Sequence, residues 1–175
     1  MFALDPLLSR VLAICVALVF ASAAWHKLRD RDLFAMQLHA YRILPGRALV
    51  LGHALAPLEA AAAILLLLDG AHAWGGVLAA ALLLLYAGAM ALNLLRGRVL
   101  DCGCGGAPQP LSWGLVVRNL AMAAMALAAA LPREPRALTG DDIWLMAVAV
   151  LAWLVLLAAI NQVLRQGRTM RGTAH

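Results

Sequence analysis

Five long apolar runs constrain this chain more than any other feature of its sequence. They cover residues 7–26, 49–68, 74–95, 113–131 and 143–160. Hydrophobic residues make up 65% of the 175 residues and charged residues 13%, whereas soluble proteins are about 45–50% apolar and about 25% charged. A helix needs about 20 apolar residues to span a bilayer. The sequence therefore predicts an all-α, polytopic transmembrane helical bundle with five spans, in one membrane domain over residues 1–175.

The segments that flank the runs add detail to this prediction. In residues 28–46, apolar side chains recur at helical spacing from Phe34 to Leu44 behind a charged start, which predicts an amphipathic segment on the membrane surface. Residues 161–175 form a basic tail. The small residues 21–24 resemble a signal-peptide cleavage site, but Trp25 to Lys27 suit the end of a retained span. The net charge of +5 comes from residues at the ends of runs, which favours lipid headgroups as partners and excludes nucleic acid.

A cysteine loop at residues 96–111 lies between the third and fourth runs. Cys102 and Cys104 are separated by one glycine in the sequence DCGCGG. Glycine permits the unusual backbone that a disulfide across one residue requires, and so small a ring should be strained and easily reduced. Arg96 and Arg98 would favour a thiolate. The pattern predicts an exposed pair that exchanges disulfides, with an inert structural disulfide or a copper(I) site as alternatives.

Polar residues inside the runs gather on the same side as this loop. At about 1.5 Å of rise per residue, Glu59 and Tyr86 should lie on the order of 15 Å below the cysteine face. The shallower polar residues are His53, Asn93, Arg118 and Asn119. An ionisable group in hydrocarbon is costly, so Glu59 should be protonated or paired with Arg118. This pair could staple two helices, or Glu59 could carry protons to redox chemistry at the loop.

Two further functions remain open on these residues. Tyr86, His53, Asn93 and Asn119 could bind a membrane quinone, which would make the protein a thiol:quinone oxidoreductase. Alternatively, the polar half of the bundle could carry a metal ion or a small molecule. The three cysteines do not provide a four-ligand zinc or iron–sulfur set, so no resident metal is predicted. Cys15, in the middle of the first run, should be a packing residue.

Several short motifs resemble those of the membrane proteins grouped as MauE/DoxX-like. They are WHK at residues 25–27, YRILP at 41–45, PLE at 57–59, NLLRG at 93–97, DCGCG at 101–105 and VRN at 117–119. The resemblance implies a four-helix core, to which the last run adds a fifth span. It also implies a bacterial inner-membrane protein that supports redox maturation of exported proteins, such as the disulfide-rich small subunit of methylamine dehydrogenase, with a thioredoxin-like partner. On this basis Cys102, Cys104, Glu59 and Arg118 are the expected catalytic residues.

The charge distribution and the expected chemistry disagree about the side on which the loop lies. Ten of the 14 Lys and Arg residues fall on the cysteine side and three on the other, so the positive-inside rule predicts a cytoplasmic loop. Disulfide chemistry predicts the periplasm, where disulfides persist. The face of the loop therefore stays open, as does the client protein.

Overall fold

The fold is described from a computed structural model that covers residues 3–42, 52–98, 100–102 and 109–172, with side chains to residue 166. This part of the chain contains six helices and no strand longer than an isolated bridge. They are α1 Pro6–Arg29, α2 Arg31–Tyr41, α3 Leu55–Leu67, α4 His72–Leu95, α5 Trp113–Ala129 and α6 Gly140–Gly172. The predicted all-α class is confirmed.

Four of the helices form a closed core. In order around it, α1 packs against α3, α3 against α4, α4 against α5, and α5 against α1. The interior is filled by small and medium apolar side chains, among them Val16, Phe20, Leu66 and Leu83, which are almost fully buried. Small residues allow the backbones to approach closely, as expected where lipid provides no hydrophobic drive for helix association. This arrangement agrees with the expected four-helix core.

The helices differ in how well they fit a bilayer. Pro6–Arg29, His72–Leu95 and Gly140–Gln166 are long and apolar enough to cross a membrane. The other two apolar helices are shorter, with 13 residues in α3 and 17 in α5. A helix of 13 residues is about 20 Å long, less than the roughly 30 Å of hydrocarbon. Residues 49–51 of the predicted second span lie outside the described residues, so five complete spans remain a prediction.

Two boundaries differ from those predicted. The last span was expected to end at residue 160, before a basic tail, but α6 continues to Gly172. Residues 161–166 contain neither glycine nor proline to stop the helix, so most of the tail is helical. The amphipathic segment is confirmed as helical over α2, which is separated from α1 by the single residue Asp30. Asp30 caps α2 by accepting a hydrogen bond from the Leu33 amide, at 3.0 Å.

Ionic contacts join three segments at the end of the bundle opposite the cysteine loop. Asp69, in the turn between α3 and α4, accepts hydrogen bonds from Arg10 of α1 and from Arg133 after α5. Arg133 also donates to the Ser9 hydroxyl, at 3.0 Å. A short backbone bridge between Leu4 and Arg133 completes the junction. These contacts fix one end of the core and leave the other end to the site described next.

Candidate functional site

The cysteine loop begins and ends with a short antiparallel pairing. The Cys102 amide donates to the Gln109 carbonyl at 2.7 Å, and the Leu111 amide donates to the Leu100 carbonyl at 2.8 Å. This pairing folds the chain back onto α4 and α5. Cys102 therefore lies in an apolar cluster with Met90, Leu111 and Leu115.

Cys102 is disulfide-bonded and only 7% exposed, whereas Cys15 is free and buried in α1. Cys104 lies outside the described residues. The prediction that this cysteine is exposed is wrong, because the pairing with residues 109–111 turns its side chain toward the core. Exchange with a partner at this position requires a movement that uncovers Cys102.

Tyr41, the last residue of α2, covers Cys102. Its hydroxyl donates to the Cys102 carbonyl at 2.9 Å, and its own carbonyl accepts from Arg98, at 3.2 Å. Arg98 also donates to the Asn93 side chain, at 3.4 Å. Burial, with a smaller effect from the Asp101 carboxylate, raises the pKa of Tyr41 to about 12. The hydroxyl thus stays protonated and keeps donating across the physiological pH range.

Replacing Tyr41 with phenylalanine should speed reduction of the disulfide that contains Cys102. The change removes one hydrogen bond, of about 1 kcal/mol, that holds the cover in place, so the uncovered state should be populated roughly fivefold more. The measurement is the rate of reduction by a water-soluble phosphine, followed by thiol alkylation and mass spectrometry. Met36→Leu on the same helix is the control, since Met36 is 63% exposed and the change preserves its apolar character. Equal rates for Tyr41→Phe and wild type would show that α2 does not control access.

A buried ion pair between Lys27 and Glu59 lies in the core. The Lys27 ammonium is 2.5 Å from Glu59 Oε1, and the two side chains are 7% and 1% exposed. Tyr86 donates to the same carboxylate oxygen, at 2.7 Å. The Lys27 nitrogen also lies 5.3 Å from the centre of the Tyr86 ring and 5.6 Å from that of Phe34, within the range of cation–π attraction. The second carboxylate oxygen of Glu59 is buried without a hydrogen-bond partner.

The predicted Glu59–Arg118 pair is therefore wrong. Helix α3, which carries Glu59, packs on α1 and α4 and lies across the core from α5. It begins at Leu55, so Glu59 lies in its second turn, level with Lys27 near the end of α1. The sequence indicates mid-membrane depth for Glu59 and the end of a span for Lys27, so their spacing gives no reason to pair them, whereas the structure brings the two side chains together.

Tyr86 connects this ion pair to the cysteine cluster. Its ring packs against the main core and against the cluster that contains Cys102, while its hydroxyl bonds to Glu59. Lys27, Glu59 and Tyr86 thus form a chain of three side chains that carry dissociable protons. The chain ends at the apolar cluster that contains Cys102. We call these three residues the buried triad.

The other predicted site residues are dispersed. Asn93 and Asn119 each donate to a carbonyl of their own helix, at 3.0 and 2.8 Å, and His53 is exposed in the turn before α3. Arg118 faces α6, where it donates to Asn161 at 2.6 Å. The four residues proposed for a quinone, which include Tyr86, are thus not gathered around one opening. Within the described ranges, no three His, Cys, Asp or Glu residues are grouped to hold a metal ion.

The fold and this site define an all-helical membrane protein with a disulfide-bonded cysteine beneath a surface helix. The family model for methylamine utilisation protein MauE matches residues 5–132. A methylamine utilization protein MauE from Paracoccus denitrificans is 40% identical over 180 residues, covering 99% of this chain and 97% of the relative. One from Methylophilus methylotrophus is 38% identical over 162 residues, covering 89% and 85%. The chain belongs to the MauE family. No solved structure gives a significant match.

Proposed function

We propose that this protein supports methylamine utilisation by exchanging disulfides through Cys102 and Cys104 with a thioredoxin-like partner, in the maturation of an exported protein. The observation that carries the proposal is the disulfide bond of Cys102, in a member of a family named for methylamine utilisation. Cys15 is buried and free in α1, which leaves the loop cysteines for exchange.

The proposed step balances as a thiol–disulfide exchange. A partner thiolate attacks one sulfur of the Cys102–Cys104 disulfide, forming a mixed disulfide and releasing the other sulfur as a thiolate, which takes up a proton. The second partner thiol then resolves the mixed disulfide. Two electrons and two protons pass from the partner dithiol to Cys102 and Cys104, and the partner becomes oxidised. The reverse sequence reoxidises the loop at the expense of a partner disulfide.

The structure supports two roles around this step. The cover formed by Tyr41 over the Cys102 backbone keeps the disulfide from small reductants until a partner displaces α2. The buried triad holds dissociable protons close to the cluster in which Cys102 lies, because Tyr86 contacts both. We propose that it takes part in the proton balance of the exchange.

The test is complementation of a deletion strain with the double variant Cys102→Ser/Cys104→Ser. We expect growth on methylamine and accumulation of the disulfide-rich methylamine dehydrogenase subunit to fall to the level of the deletion. Cys15→Ser is the matched control, since it removes a buried thiol of the same chain and should retain growth. Full growth and full accumulation with the double variant would overturn the proposal.

A second measurement locates the chemistry. Intact cells carrying a Cys15→Ala protein are treated with a membrane-impermeant maleimide, with and without prior reduction. Labelling of intact cells only after reduction would place an oxidised pair on the outer face, as the proposal requires. Labelling only after permeabilisation, without reductant, would show free cytoplasmic thiols and would contradict maturation on the outer face.

A further inference from the structure

Arg118 is a half-buried base with no acidic partner in the core. We propose that Arg118 and Arg165 form a site for the phosphate group of an anionic phospholipid, in the seam between α5 and α6. The proposal is independent of the thiol chemistry above. The resemblance listed Arg118 among the expected catalytic residues, but the structure places it on the face of α5 that meets α6. The proposal gives this arginine a different role.

The two arginines lie on one seam because the helices are antiparallel and in a defined register. Arg118 of α5 donates to Asn161 of α6 at 2.6 Å. One turn earlier on α5, Gly114 is in close contact with the Leu164 side chain, three residues further along α6. Arg165 follows Asn161 by four residues and therefore shares its face of α6. The backbone of Arg165 therefore lies about one turn, roughly 6 Å, along α6 from that of Asn161.

Helix packing leaves this seam open. Helix α6 packs mainly along α1, and it meets α5 through the Gly114 and Arg118 contacts just described. Its apolar side chains, such as Val155 at 70% and Val163 at 67% exposure, face outward, where lipid would lie. A lipid headgroup can therefore reach both arginines from the side of the bundle.

No Asp or Glu side chain forms an ion pair with either arginine in the described part of the chain. The sequence has nine acidic residues, and all nine lie in the described ranges. Glu59 pairs with Lys27. Asp69 pairs with Arg10 and Arg133, and Asp5 and Asp142 both pair with Arg136. Neither Arg118 nor Arg165 takes part in an ion pair of the described part of the chain. Arginine does not lose its proton in proteins, so both remain cationic.

Arginine nitrogens without a hydrogen-bond partner indicate which kind of ligand the site would bind. The Nε atoms of Arg118 and Arg165 are both buried without a hydrogen-bond partner. A guanidinium presents a planar fork of donors that matches the oxygens of a phosphate. Two such forks about one turn apart suit a phosphate diester that accepts from both.

The depth of the two arginines in the membrane favours a lipid phosphate over free phosphate as the ligand. Arg118 is five residues from the start of α5, about 7–8 Å along the helix, and Trp113, which is 55% exposed, marks an interface position. Arg165 is one turn closer to the same face. The headgroup zone outside the hydrocarbon is about 5–7 Å thick on each side. Arg165 lies within this zone, and the long Arg118 side chain can reach it by extending toward the interface; basic pockets between helices bind such headgroups.

The experiment is native mass spectrometry of the full chain, released from nanodiscs that contain equal amounts of phosphatidylglycerol and phosphatidylcholine. Each of two basic residues near the surface contributes appreciably to anionic-lipid binding, so we expect about tenfold more retained phosphatidylglycerol than phosphatidylcholine. Arg118→Gln/Arg165→Gln should reduce the ratio to about that of the bulk lipid. Arg31→Gln, at an exposed position on α2 on the same side of the membrane, removes one charge elsewhere and should keep the preference.

A single variant and a competition with inorganic phosphate distinguish the possible outcomes. Arg165→Gln alone removes a side chain that makes no ion pair and whose Nε has no hydrogen-bond partner in the described structure, so it should fold normally and still weaken the preference several-fold. Added inorganic phosphate should not displace the lipid; displacement at millimolar phosphate would overturn the lipid assignment and leave a general anion site. Equal retention of phosphatidylglycerol by wild type and the double variant would overturn the site itself.

Discussion

Replacing Lys27 with methionine is expected to lower the free energy of unfolding by about 3–5 kcal/mol, because breaking a buried pair leaves a charge without its partner. Lys27 is 7% exposed and Glu59 is 1% exposed, so water cannot replace the lost cation. The variant also loses the cation–π contacts with Tyr86 and Phe34. No other ion pair of the described residues is as deeply buried.

Unfolding can be followed through Cys15, which is a free thiol and 1% exposed. A thiol-reactive fluorophore that labels Cys15 on heating reports loss of the core, and the disulfide-bonded Cys102 does not react without a reductant. We expect the midpoint to fall by about 2–4 °C for each kcal/mol lost in a chain of this size. The matched variant is Lys27→Met/Glu59→Gln, in which both charges are removed.

The double variant should recover most of the stability, since exchanging a whole buried pair for neutral groups is often close to neutral. Such recovery would give a coupling energy in the double-mutant cycle and would identify the pair as a unit. If the losses from Lys27→Met and Glu59→Gln simply added, the two residues would act independently and the buried triad would not exist as described.

The helices of this chain could be predicted from its sequence, but their partners could not. Long apolar runs determine where helices form, because a backbone in lipid must satisfy its own hydrogen bonds. Glu59 needed a base, and several lie within the apolar runs or at their ends, among them Lys27 and Arg118. The choice depends on which helices are neighbours, and the order α1, α3, α4, α5 around the core is not encoded in the length or composition of any run.

The burial of Cys102 illustrates a second limit. Its glycine-rich neighbourhood is typical of an exposed loop. The cysteine is buried because residues 109–111 return to pair with residues 100–102, and because Tyr41, 61 residues earlier in the chain, reaches its carbonyl. Contacts between residues so distant in sequence arise from the packing of whole helices, which a local pattern does not contain.

Gly76→Ala is expected to destabilise the protein by about 1–3 kcal/mol, through overpacking between α4 and α5. An added Cβ at Gly76 would lie 2.5 Å from the Ala126 carbonyl oxygen and 2.7 Å from the Ala130 Cβ. The first of these is a backbone atom and cannot rotate away, so the two helices must separate. Gly88, on the same helix, has no atom within 4 Å of the same position and provides the matched control.

The same substitution at Gly88 should leave stability unchanged or raise it by up to about 1 kcal/mol, because alanine is the better helix former. The Cys15 labelling midpoint measures both variants under one set of conditions. Separation of α4 from α5 should also loosen the wall of the cysteine cluster, in which Ala87 and Met90 of α4 meet Leu115 and Val116 of α5. Gly76→Ala should therefore also speed reduction of the Cys102 disulfide, whereas Gly88→Ala should not. Equal midpoints for the two variants would contradict the close approach of the helices at Gly76.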